Sequence, residues 1–99
     1  MATYVVSYDL NQQGQNYDCI IKKLKAYGTH WHMQQSVWII VADASATQIR
    51  DNLKSCLDSN DKLFVAKLSG EAAWSGYRQT VTDWLKKYLS YPARHNSLI

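Results

Sequence analysis

The sequence predicts an α+β chain in the order β-α-β-β-α-β, followed by one amphipathic helix. Three observations carry this expectation. Four short runs are rich in β-branched and aromatic residues, three longer runs place apolar residues at helical spacing, and clusters of turn-forming residues separate them. The 99 residues suit a single domain with one modest core, and the 46% apolar and 19% charged fractions exclude charge-driven disorder.

The first strand spans Thr3–Tyr8 and is bounded by Asp9 and Asn11. NQQGQN (11–16) reads as a polar loop containing Gly14. Tyr17, Ile20, Ile21 and Leu24 fall at i, i+3, i+4 and i+7, one face of a helix that Gly28 ends. THWHM (29–33) and SVWIIVA (36–42) are two extended runs joined near Gln34–Gln35. This is a hairpin whose turn has no glycine to fix its register. Ser45 is placed to cap a second helix, whose apolar face is Ile49, Leu53, Cys56 and Leu57. Asp58–Asp61 is a turn cluster, and Lys62–Leu68 is a fourth strand with Leu63 and Val65 on one face and Phe64, Ala66 and Leu68 on the other.

That order is the ferredoxin-like arrangement, one antiparallel sheet with both helices on one face. Both faces carry large apolar groups: Tyr4, Val6 and Tyr8 share one side of the first strand and Val5 and Ser7 the other, while the third strand has Val37, Ile39 and Val41 on one side and Trp38 and Ile40 on the other. The sheet therefore needs cover on its second side, from another subunit or from the remaining chain. Beyond the loop 69–76, Tyr77, Val81, Trp84, Leu85, Tyr88 and Leu89 make an apolar helical stripe, with Pro92 past its end and a frayed tail ARHNSLI. The boundaries expected are a core over 1–68, a loop over 69–76 and a helix with tail over 77–99, one domain overall.

Net charge is +3. Residues 1–76 balance seven Lys/Arg with seven Asp/Glu, so the excess lies in Arg78, Lys86, Lys87 and Arg94 against Asp83. A basic C-terminal segment suits an anionic partner or a solvated helix face. No apolar run is long enough to span a membrane, and MATYVVSYD lacks the features of a secretory leader, so a cytoplasmic location is expected. Cys19 and Cys56 each fall on a predicted helix outside any C-x-x-C pattern and read as buried thiols in a reducing compartment.

Asp9 ends its strand either as a turn residue bonded to backbone or as a carboxylate presented for chemistry. His30 and His32 share a strand face, but further zinc ligands have no motif, so they read as exposed or interface histidines. Lys22, Lys23 and Lys25 on the first helix, with Arg78, Lys86 and Lys87, are candidates to track a phosphate backbone. Trp31 and Trp74 are placed to stack on bases, whereas Trp38 and Trp84 suit packing. No nucleophile elbow or glycine-rich phosphate loop is present in the sequence.

The strand YVVSYD ending in aspartate, the basic helix closed by YG, and QQSVW leading into a strand resemble the CRISPR-associated Cas-two family of small ferredoxin-like proteins. The D-type virulence-associated ribonuclease toxins are similar in their opening. The resemblance covers roughly residues 3–68 and implies a homodimer that handles RNA or DNA. It implies a metal-linked role, with Mg²⁺, for Asp9, a site role for Ser36 beside the aromatic Trp38, and backbone contact by Lys22, Lys23 and Lys25. It implies either a metal-dependent endonuclease or endoribonuclease, or a non-catalytic dimeric scaffold or regulator that binds nucleic acid or a protein partner. The sequence departs from the family pattern in its NQQGQNYDC stretch, uncharged until Asp18, and in its long C-terminal helix.

Overall fold

The computed structural model describes residues 1–10 and 17–89. The polar loop 11–16, Pro92 and the ARHNSLI tail lie outside the described residues. The chain divides into two compact units, Met1–Lys67 and Leu68–Ile99.

The first unit runs β1 (Ala2–Asp9), α1 (Tyr17–Lys25), β2 (Thr29–Gln34), β3 (Val37–Ala42), α2 (Ala46–Lys54) and β4 (Lys62–Lys67). The strands form one antiparallel sheet in the order β2-β3-β1-β4, the ferredoxin-like arrangement the sequence predicts. Register places Tyr4 opposite Ile40 and Val6 opposite Trp38 on one side of β1, and Tyr4 opposite Lys67 and Val6 opposite Val65 on the other.

Because side chains alternate along a strand, Tyr4, Val6 and Tyr8 share a face with Trp38, Ile40 and Ala42. That face meets Ile20 and Leu24 of α1 and Ile49 and Leu53 of α2 in one core. Each fully buried aliphatic contributes about 1.5–3 kcal/mol. On the opposite face Ile39 and Val41 are also buried, 5% and 6% exposed.

Local signals set the element ends. Gly28 follows α1 at φ +88°, a conformation that costs L-residues energy, and the amides of Tyr27 and Gly28 donate to Leu24 and Lys25 carbonyls. Ser45 caps α2 through a reciprocal pair: Gln48 N donates to Ser45 Oγ at 3.1 Å, and Ser45 N donates to Gln48 Oε1 at 2.8 Å. Tyr4 Oη donates to the Ala44 carbonyl at 2.6 Å and pins the loop before that cap. In the Asp58–Asp61 turn, Asp58 N donates to Asp61 Oδ2 at 2.8 Å. The β2–β3 hairpin turns at Gln35 and Ser36, with a register irregularity between His32 and Gln34, so Ser36 lies in the turn rather than in the strand.

The cysteines differ from the expectation. Cys19 and Cys56 form a disulfide across a sequence separation of 37, with Cα atoms 5.6 Å apart, instead of standing as buried thiols. Helix α2 also ends at Lys54, before Cys56, whose amide donates to the Leu53 carbonyl in the turn that follows. The sequence shows no spacing motif because the bridge joins α1 to the turn after α2, two segments that only the fold brings together.

In the second unit, α3 spans Gln79–Tyr88. Leu85 and Leu89, two residues of the predicted stripe, are buried. Trp84 and Tyr88 contact each other with ring centroids 4.9 Å apart, and Trp74 Nε1 donates to Thr82 Oγ1 at 3.0 Å.

Candidate nucleic-acid site at the end of strand β1

Asp9 is the last residue of the central strand β1. It shares the face of Val5 and Ser7, away from the two helices, and its side chain is exposed. Among the described residues the Asp9 carboxylate has no hydrogen-bond or ion-pair partner. The backbone beneath it is held on both sides. The Tyr8 amide donates to the Ser36 carbonyl at 3.1 Å, and Asp9 pairs with Lys62 of β4.

Asp9 and Ser36 come together, therefore, although 27 residues separate them: the β2–β3 turn sits beside the end of β1. Sequence reasoning missed the third side of the site. Lys62 stands directly opposite Asp9 and Phe64 opposite Ser7, and these residues, with Tyr8 and Leu63, line a shallow cleft of about 140 Å³. Phe64 is 62% exposed, unusual for a large apolar side chain on a strand. The alternation of KLFVAK shows its outward face in the sequence, but only the sheet order shows that β4 lies beside Asp9.

The lysines of α1 are elsewhere. Helix α1 runs antiparallel to β1 and leads into β2 at Thr29, which is level with Val41 and Thr3 at the start of β1. Its last turn, with Lys22, Lys23 and Lys25, thus lies at the end of the sheet remote from Asp9. Lys22 and Lys25 are exposed, while Lys23 Nζ donates to Asn52 Oδ1 of α2 at 3.4 Å. Within α3, Arg78 is the exposed N-cap residue and makes no side-chain cap bond. Lys86 is half-buried, and Lys87 Nζ lies 5.3 Å from the centroid of the Tyr88 ring.

Trp38 is fully buried on the helix side and donates from Nε1 to Tyr8 Oη at 3.2 Å. It is a core residue, and its place in the QQSVW run fixes the level of Ser36 rather than offering a stacking surface. Burial pushes the Tyr8 phenol above its ordinary 10.0, the Trp38 hydrogen bond works against that rise, and nearby Tyr17 adds to it.

The Mg²⁺ implied by the resemblance needs hard oxygen donors. An exposed, unpartnered carboxylate on a fixed backbone fits it in kind. It does not make a closed cage: among the described residues no group of three His, Cys, Asp or Glu side chains gathers. Mg²⁺ is held by one or two carboxylates with waters and substrate phosphates, so one chain presents one such ligand and a second copy would present another. Among the described residues no helix is long and apolar enough to cross a membrane.

Compared with known families, residues 1–74 match the model of CRISPR associated protein Cas2.

Proposed function

This chain belongs to the CRISPR associated protein Cas2 family, and from that membership we propose that it is a homodimeric, Mg²⁺-dependent endonuclease of RNA or DNA centred on Asp9. Its function is CRISPR-associated and nucleic-acid-related; cleavage, metal and dimer are our reading. The observation that carries it is the exposed carboxylate at the end of β1, unpartnered among the described residues and set between Ser36 and Lys62.

Each residue has work to do at a phosphodiester. Asp9 would hold Mg²⁺, which when bound neutralises charge gathering on the phosphate. Lys62, across the ladder, would balance the phosphate from the other side without protein ion pairing to Asp9. The Ser36 hydroxyl can donate to a phosphate oxygen, and Phe64 offers an aromatic face to a neighbouring base. Lys22 and Lys25 would follow the backbone further from Asp9, with Lys23 steadied on Asn52, and Arg78, Lys86 and Lys87 of the second unit would add phosphate contacts of their own.

A second reading has its own support. With one carboxylate at the site and no acidic cluster among the described residues, a non-catalytic dimeric scaffold that binds nucleic acid or a protein partner also suits the surface. The test is cleavage of labelled RNA and DNA with Mg²⁺ and with EDTA, using wild type and Asp9→Ala, alongside binding and sedimentation. Cleavage that needs both Mg²⁺ and Asp9 supports the nuclease. Binding and dimerisation that persist in Asp9→Ala, with no cleavage by wild type, give the scaffold.

A further inference from the structure

His30 and His32 are used by nothing described so far. They lie on β2, an outer strand of the sheet, on the helix side opposite Ile40 and Trp38. The His32 ring stacks on the Trp38 indole with centroids 4.2 Å apart and 11° between planes, and the His30 ring lies 5.7 Å from the same indole. His32 is exposed and His30 half-buried, so the pair meets solvent.

Each ring is tied at one nitrogen. His30 Nδ1 is 2.9 Å from the Gly28 carbonyl, and His32 Nε2 is 2.8 Å from the Gln35 carbonyl. A carbonyl only accepts, so the tied nitrogen carries the hydrogen and, in the neutral ring, the other carries the lone pair. His30 thereby presents Nε2 and His32 presents Nδ1, and among the described residues neither has a partner. Gly28 precedes β2 and Gln35 follows it, so the two rings are tied to carbonyls at opposite ends of the strand while both side chains stand on one face of it.

We propose that His30 and His32 form a two-histidine site for a borderline divalent transition metal, Zn²⁺ in the first place, with water in the remaining positions. A backbone carbonyl on the second ring nitrogen is how proteins fix the tautomer and orientation of a metal-ligating histidine. Both rings here have that support before any metal arrives, and the stacked indole restrains one of them further. Imidazole selects Zn²⁺, Ni²⁺ or Cu²⁺ over Mg²⁺, with Zn–N about 2.0–2.1 Å. The pair also lies on the opposite sheet face from Asp9, so this site is separate in place and in the cation it takes.

The experiment is calorimetric titration of the full chain with Zn²⁺, repeated with Mg²⁺ and with His30→Ala, His32→Ala and His95→Ala. One zinc per chain is expected, weakened at least tenfold by either of the first two substitutions and unchanged by the third, with no Mg²⁺ heat from this site. Because His32→Ala strips a ring from Trp38, imidazole resonances of the unaltered chain are followed as a second measurement. Those of His30 and His32 should move together on zinc addition. Zinc binding undiminished in both His30→Ala and His32→Ala, or shifts confined to His95, overturns the proposal.

Discussion

The Cys19–Cys56 bridge makes a quantitative claim about stability. It closes a loop with a sequence separation of 37, containing β2, β3 and α2. In the chain-entropy treatment, cross-linking a loop of this length removes about 13 cal/mol/K from the unfolded ensemble, or about 4 kcal/mol at 25 °C. Residual compactness of the unfolded chain lowers that figure, so it is an upper value. A urea slope of about 1–3 kcal/mol/M converts it to a fall in midpoint of roughly 1.3–4 M on reduction. The assay is urea unfolding followed by Trp fluorescence, with and without a phosphine reductant, and with thiols counted in denaturant. Oxidised protein should show no free thiol and reduced protein two, with the reduced form unfolding earlier. A Cys19→Ser/Cys56→Ser chain should unfold near the reduced midpoint and ignore the reductant. Midpoints that agree within about 0.3 M, while the thiol count rises from none to two, would refute the reasoning.

Tyr8→Phe leaves the buried Trp38 N–H without its acceptor and should cost about 1–3 kcal/mol in denaturant unfolding. The raised Tyr8 phenol favours the folded state only in its protonated form. Its stabilisation is therefore complete below pH 10.0 and lost as pH rises from there through the folded value; an alkaline unfolding series should show this loss, and Tyr8→Phe should lack it. Ser45→Ala removes the reciprocal cap of α2 and should cost about 1 kcal/mol in the same assay. If Lys22 and Lys25 both contact phosphates, replacing the two with Ala should reduce the slope of log K against log salt by roughly 1.4–1.8 in a fluorescence-anisotropy titration.

Element order was readable in the sequence because each helix and strand carried its own period and its own stop. Ser45 announces the start of α2, and Gly28 the end of α1. What escaped was whatever depends on segments meeting. Cys19 and Cys56 have no local motif, and the hairpin turn without glycine left Ser36 assigned to a strand it only adjoins. At the candidate site, Asp9 stands out as the residue that ends the first strand, and Ser36 from the resemblance alone. Lys62 and Phe64 were not, because their nearness to Asp9 follows from β4 pairing with β1 and from no feature of KLFVAK itself. The basic residues of α1 were grouped with the site by charge, and the antiparallel course of the helix separates them from it.

The mounting of Asp9 has an evolutionary consequence. The strand end is fixed by main-chain pairing with Ser36 and Lys62, which any residue at position 9 other than proline could provide, while the carboxylate does nothing for folding among the described residues. Among the described residues, then, the fold places no demand on a carboxylate at this position. If use rather than folding keeps an aspartate there, its loss in a sister lineage would leave no scar elsewhere among the described residues. Among chains sharing this architecture, the identity of the ninth residue would divide those retaining the chemistry from those that have kept only the frame.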